Sequence, residues 1–196
     1  MQANILRWTE RGLYVGGVTL LVLWLAWTLD SAVFQDRLAR RLDELWPRTS
    51  AGLLGHEADA TRAEARSSGL VGRIEIPRLG LSAMIVEGTT GRALRRGVGH
   101  VGPTAFPGEA GNVALAGHRD TFFRRLRNVA KGDSIRIATP DGVFQYRVES
   151  MMVVDSDRSD LLRATPAPVL TLVTCYPFDW IGPAPRRFVV RARPLT

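Results

Sequence analysis

The sequence contains a single cysteine, Cys175, and this scarcity excludes two common uses of the residue. One thiol cannot form an internal disulfide, and it cannot build a cysteine-based metal cluster. The three histidines, His56, His100 and His118, show neither an HExxH motif nor any similar ligand spacing. We therefore expect no metal ion and no cofactor.

Internal repeats, low-complexity tracts and nucleic-acid-binding motifs are also missing. Hydrophobic residues make up 45% and charged residues 23% of the chain, which is typical of a globular protein. The net charge of +7 comes from 26 basic and 19 acidic residues, and the basic ones are scattered. Such an excess suits a solvated basic surface or an anionic partner such as phospholipid heads or wall polymers, and we expect no nucleic-acid partner.

A long apolar run is present near the amino end. Residues 13–29, LYVGGVTLLVLWLAWTL, carry no charge and would span about 25 Å as a helix, which is short but sufficient for a tilted or locally thinned bilayer. Trp24 and Trp27 suit the interfacial belt. We predict a single-pass anchor. The alternatives are a cleaved signal peptide, whose apolar region would be shorter, and a buried core helix, which would have a polar face.

The flanking charges predict the orientation of this anchor. Arg7 and Arg11 precede the run, and Asp30 and Asp36 follow it. The positive-inside rule then leaves the amino end in the cytoplasm and the rest outside the plasma (inner) membrane. Three arginines after the run oppose this assignment: Arg37, Arg40 and Arg41.

Residues 30–46 continue as an amphipathic pattern, with apolar residues at helical spacing. The apolar positions are Val33, Phe34, Leu38, Leu42, Leu45 and Trp46. We expect Pro47 to end this helix and the polar, Ala/Gly/Ser-rich residues 48–69 to form a linker. The predicted organisation is a tail and anchor at 1–30, an amphipathic helix and linker at 31–69, and a globular domain at 70–196.

From Leu70 onward, short β-type runs alternate with Gly/Pro turns, which predicts a mainly β domain, either a sandwich or a barrel. Asp141-Gly142 is a strong hairpin turn. The candidate strands are 71–77, 82–88, 112–118, 133–139, 143–154, 169–175 and 187–193. Short helical pieces are expected at 90–95, 121–128 and 159–163.

Three chemically useful side chains stand at strand ends: Cys175, His118 and Arg187. A cysteine nucleophile needs a proton carrier such as histidine and donors for the oxyanion of a tetrahedral intermediate. Each residue also has an ordinary interpretation, as packing, as a hydrogen-bonded histidine or as a surface cation. On chemistry alone Arg186 is equal to Arg187, and His100 stays open as the histidine.

These residues also carry a family resemblance. TLVTC at 171–175, GNVALAGHRDTFF at 111–123 and RFVVRA at 187–192 resemble the cysteine, histidine and arginine segments of sortases, the membrane-anchored cysteine transpeptidases of bacteria. Two further segments, CYPF at 175–178 and GPAPRRFVV at 182–190, look most like the corresponding segments of class D sortases and of related forms from Gram-negative bacteria.

The resemblance implies an eight-stranded sortase β-barrel with short helices. It implies that Cys175 attacks the carbonyl after Thr in an LPxTG-like sorting motif, that His118 transfers protons, and that Arg187 holds the substrate and the oxyanion. Thr174 and the backbone of Tyr176 would help to line the site. The partners would be surface proteins with a C-terminal sorting signal, an amine acceptor from peptidoglycan or a lysine, and the lipid bilayer.

Two other functions stay open, a cysteine peptidase that uses water and a tethered binding domain with an inactive barrel. Residues 101–111 and 156–168 are candidate walls of a substrate groove. The acidic run at 155–160 lacks EF-hand spacing, so we read it as a solvated turn rather than a calcium site.

Overall fold

The computed structural model describes residues 2–50 and 68–195 of the chain. Eight strands form a closed barrel in the order β1-β2-β3-β4-β7-β8-β6-β5, and β1 pairs with β5 to close it. The strands are Leu70–Ile76 (β1), Leu81–Glu87 (β2), Val98–His100 (β3), Asn112–Ala116 (β4), Ser134–Thr139 (β5), Gly142–Asp155 (β6), Val169–Tyr176 (β7) and Arg186–Pro194 (β8). The predicted mainly β, eight-stranded fold is confirmed.

Alternation along the strands creates the barrel interior. Ile74, Ile85, Leu115, Leu172 and Val190 come from five different strands, are fully buried, and belong to one apolar cluster. Full burial of such side chains contributes about 1.5–3 kcal/mol each. The neighbours of these residues along each strand therefore point outward, and this alternation decides which side chains can form a site on the barrel surface.

All seven predicted strands are present, with ends that differ by at most two residues. The Asp141-Gly142 hairpin joins β5 to β6 as expected. The sequence did not predict β3, which has only three residues and no apolar alternation. Its Gly99 is needed for close backbone approach, because a Cβ there would lie 2.4 Å from the carbonyl oxygen of Gly88.

Four short helical segments connect the strands. One is an α-helix, Gly91–Arg96 (α2), whose amino end is capped by the Thr90 hydroxyl accepting from the Ala93 amide. The others are 3-10 turns at Pro77–Leu79, Arg124–Asn128 and Ser159–Leu162. The first 3-10 turn was not predicted.

The amino-terminal helix, Gln2–Ser50 (α1), is continuous from the apolar run into the amphipathic segment. The expectation that Pro47 ends it is wrong, because the helix continues to Ser50. Proline removes the backbone donor that would bond to the carbonyl of residue 43, so the last turns of this helix contain one hydrogen bond fewer. The remaining part of the predicted linker, residues 51–67 with His56, lies outside the described residues.

The two halves of α1 have different surroundings. In residues 13–29 the large apolar side chains that the structure describes are exposed, and α1 is long and apolar enough to cross a membrane. In the second half, Leu38 and Leu42 are buried against Met84 and Val86 of β2. This part of α1 thus packs on the outside of the barrel through Leu38 and Leu42, whereas Val33 of the predicted apolar face is 42% exposed.

Candidate functional site

The histidine and cysteine segments lie side by side because β4 and β7 are neighbouring parallel strands. Ala116 is in register with Val173, and the Gly117 amide continues the ladder by donating to the Val173 carbonyl at 3.1 Å. Extending the same register by two residues puts His118 beside Cys175. Both side chains are partly exposed.

The arginine segment lies on the other side of the cysteine. In the antiparallel pair of β7 and β8, Cys175 is directly opposite Arg187. Directly opposed residues place their side chains on the same face of a sheet. Leu172 points into the core, so Cys175, three positions later, points outward. Cys175 and Arg187 thus share the outer face of β7 and β8, and His118, two residues beyond the end of β4, extends this row.

Alternation separates the two adjacent arginines. Arg186 is opposite Tyr176, and its guanidinium lies 5.5 Å from the centre of that ring, on the other face from Cys175. Arg187 donates to the carbonyl oxygens of Ala184 at 3.1 Å and Arg186 at 3.0 Å. Among the described residues, the Cys175 thiol makes no hydrogen bond to His118 or Arg187. Such contacts are often long in unliganded enzymes.

The two residues expected to line the site, Thr174 and Tyr176, differ in position. Thr174 is 2% exposed, and its hydroxyl donates to the Gly117 carbonyl at 2.7 Å, so it fixes the backbone next to His118 from inside the barrel. Tyr176 is partly exposed at the strand end and contacts the rings of Phe178 and Phe188.

Two arginines that the sequence reasoning did not single out hold the β7–β8 loop. Arg119 donates to the carbonyl oxygens of Trp180 at 2.7 Å and Gly182 at 2.9 Å. Arg127 pairs with Asp179 at 2.8 Å. The loop between the cysteine and the arginine is therefore attached to the segment that follows His118. The only sequence signal was a cation directly after the histidine.

His100 lies inside the protein, and both of its ring nitrogens have hydrogen-bonding partners. Its ring is fully buried, and its Nδ1 lies 2.9 Å from Glu87 Oε2. Its Nε2 lies 3.0 Å from the Ala105 carbonyl oxygen, and the ring stacks on Phe106. Through these contacts His100 holds the loop that leads into β4, and its ring is enclosed.

The two candidate walls are held in different ways. The loop before β4 is joined to it by the Thr104 hydroxyl, which accepts from the Ala114 amide at 3.2 Å. The loop before β7 is anchored by Asn112, whose amide donates to the carbonyls of Leu161 and Arg163. Both loops therefore contact β4, the first along its backbone and the second through the Asn112 side chain.

The acidic run pairs internally, since Arg158 binds both oxygens of Asp160 at 2.7 and 2.9 Å. Within residues 2–50 and 68–195, no cluster of three or more His, Cys, Asp or Glu side chains is arranged to hold a metal ion.

Comparisons with known proteins agree with this geometry. A model of the sortase domain matches residues 74–195. Sortase D of Bacillus subtilis is 38% identical over 126 residues, which are 64% of this chain and 64% of that protein, so the match spans less than two thirds of the relative.

Solved structures show the same fold. A sortase D transpeptidase of Clostridium perfringens has a TM-score of 0.64 and 27% identity, and the match covers 80% of this chain and 99% of that one. A pilus-related sortase C of Group B Streptococcus has a TM-score of 0.60 and 26% identity, covering 66% and 69%. The resemblance read from the sequence is confirmed. Because the sortase domain model matches nearly the whole barrel, the chain belongs to the sortase family.

Proposed function

We propose that this protein is a membrane-anchored cysteine transpeptidase that cleaves an LPxTG-like sorting motif and transfers the acyl group to an amine. The observation that carries the proposal is the row of His118, Cys175 and Arg187 at the neighbouring ends of three adjacent strands. Membership of a family of cysteine transpeptidases supports the same reaction.

In the first step, the Cys175 thiolate attacks the carbonyl carbon of the motif threonine and forms a C–S bond. Arg187, on the same face, donates to the oxyanion that develops. The C–N bond to the following residue then breaks, and protonated His118 gives its proton to the leaving amine. The product of this step is an acyl thioester on Cys175.

In the second step, neutral His118 takes a proton from the incoming amine as that amine attacks the thioester. A new amide bond forms, the C–S bond breaks, and the thiolate is restored. The partners are surface proteins with a C-terminal sorting signal and an amine of peptidoglycan or of a lysine. The sequence pattern supports α1 as the anchor, with the barrel on the extracytoplasmic side of the plasma membrane.

The test uses the detergent-solubilised full chain, a panel of LPxTG-like peptides and an added amine, with products identified by mass spectrometry. We expect a thioester on Cys175 and an amine-capped peptide, and no turnover with Cys175→Ala. Turnover retained by Cys175→Ala would remove the nucleophile. Cleaved peptide without amine incorporation would identify a peptidase, and no thiol adduct with any peptide would favour an inactive barrel.

A further inference from the structure

Helix α1 docks on the barrel immediately after its apolar run. Asp30, the first residue after the run, accepts from the Nε and Nη2 of Arg96 at 3.1 Å each. The Ser31 hydroxyl donates to the Arg95 carbonyl at 3.3 Å, and the Gln35 side chain accepts from the Met84 amide at 2.8 Å. Because α1 is continuous here, these contacts fix the orientation of the barrel relative to the apolar run.

The docked barrel also extends alongside the end of the apolar run. Trp24 lines a cavity of about 880 Å³ together with Arg95, Arg125 and His118. Trp24 is about 9 Å before Asp30 along the helix axis, and tryptophan favours the interfacial layer of a bilayer. If the apolar run spans the membrane, this face of the barrel lies at the level of the lipid headgroups.

The same face carries positive charge that the protein does not neutralise. A second cavity, of about 490 Å³, is lined by Arg92, Arg95, Arg96, Asp30 and Ser31. Asp30 is occupied by Arg96. Arg92 and Arg95 are exposed, and neither guanidinium makes a hydrogen bond or close ion pair in the part of the chain that the structure describes, although Arg92 interacts with the charge of Asp30 at longer range.

The larger cavity adds one cation and one carboxylate, Arg125 and Asp120. Arg125 donates to the Leu79 carbonyl at 2.8 Å, which leaves its charge uncompensated. The balance around the two cavities is therefore positive on the side where α1 leaves the membrane.

We propose that Arg92 and Arg95, supported by Arg125, form a headgroup seat, a surface that binds the phosphates of anionic phospholipids and holds the barrel against the bilayer. The proposal rests on the membrane placement of α1 given above. Arginine binds phosphate through two parallel N–H donors, and each basic residue near an anionic surface strengthens association by about fivefold. The seat keeps the His118 side of the site at the membrane surface.

The test measures backbone hydrogen exchange of the full chain in nanodiscs, made either of phosphatidylcholine alone or of a mixture with phosphatidylglycerol. The Cys175→Ala chain is used so that no transpeptidation takes place during the measurement. We expect the amides of Gly91–Arg96 and Arg124–Asn128 to exchange several-fold more slowly in the anionic discs. High salt should remove the difference, because it screens exposed charges.

The double variant Arg92→Gln/Arg95→Gln should lose this protection, and it should fold because glutamine is a good helix former. Arg163→Gln is the matched control, because Arg163 is exposed and lies at the Asn112 end of β4, opposite to His118. Arg163→Gln should keep the full protection.

Equal exchange in the two kinds of disc would overturn the seat, and so would protection that survives the double variant. A second measurement is extraction of membranes that contain the full chain with alkaline carbonate. Release of the chain from these membranes would overturn the membrane placement together with the seat. Neither readout uses the reaction, so a failed transpeptidation assay would leave the seat standing.

Discussion

At the residue scale, the direction of each side chain decides its role in the site. Arg186 and Arg187 are neighbours with the same chemistry, but β8 turns one toward the Tyr176 ring and the other toward the face of Cys175. Strand alternation therefore places only Arg187 on the face of Cys175, which is why we propose it over Arg186.

Arg187→Ala should lower kcat/KM by about a hundredfold, which is the usual cost of losing one oxyanion donor. Arg186→Ala should have a much smaller effect, because its guanidinium lies on the opposite face. Steady-state transpeptidation by both variants gives the ranking. The reverse order would transfer the role to Arg186.

Thr174→Val tests whether the buried hydroxyl positions the histidine segment. Loss of its bond to the Gly117 carbonyl should cost about 1–2 kcal/mol of stability and lower kcat more than it raises KM. Thr171→Val is the control, because Thr171 is also buried and donates to Asn112 at 2.6 Å, at the far end of β4. Similar stability losses with equal activities would remove the positioning role.

At the element scale, one ion pair connects the turn after β1 to the start of β5. Asp133 has a side chain that is only 6% exposed; it binds the guanidinium of Arg78 through both oxygens and accepts from the Ala130 amide at 2.8 Å. The Arg78 hydrogen bonds hold the pKa of Asp133 below its ordinary value, and the Ala130 amide lowers it further. A lowered pKa in the folded state means that this pair stabilises the fold at neutral pH and is lost in acid.

Asp133→Asn should therefore destabilise the protein by about 2 kcal/mol at pH 7, and the difference from wild type should shrink as the pH falls below about 4. Denaturant unfolding at several pH values measures this. Asp160→Asn removes an exposed partner of Arg158 and should change stability little at any pH. A difference for Asp133→Asn that persists unchanged into acid would contradict the linkage.

The docking of α1 makes a separate prediction about stability. Leu42 is 1% exposed, so Leu42→Ala should cost about 2–4 kcal/mol if the helix and barrel unfold together. Val33→Ala, on the same helix at 42% exposure, should cost little. Thermal unfolding in detergent compares them, and equal midpoints would mean that α1 does not contribute to barrel stability.

At the scale of the whole molecule, local sequence patterns predicted most elements, whereas their arrangement in an eight-stranded barrel was predicted only by the family resemblance. The seven longer strands could be read from apolar alternation, whereas β3 is too short to show one. The parallel pairing that puts His118 beside Cys175 joins segments far apart in sequence, so no local pattern reports it. The role of Arg119 depends on where the β7–β8 loop folds back, which is also a long-range contact.

The orientation across the membrane can be tested with the single thiol of the chain. On intact spheroplasts, a membrane-impermeant maleimide should label Cys175, because the flanking charges predict an external barrel. Cys175→Ala removes the only thiol and should stay unlabelled. Labelling that requires permeabilised cells would reverse the orientation.

Closure of the barrel has a further consequence for a protein that α1 anchors in a membrane, as proposed above. Copies that share one surface meet often, and an unpaired strand edge would act as a template on which neighbouring chains or extended peptides could polymerise. Because β1 pairs with β5, the sheet closes on itself, and the part of β2 that β3 does not reach is covered by α1, where the Met84 amide donates to Gln35. Crowding can therefore raise the frequency of encounters without offering a backbone ladder for irreversible assembly.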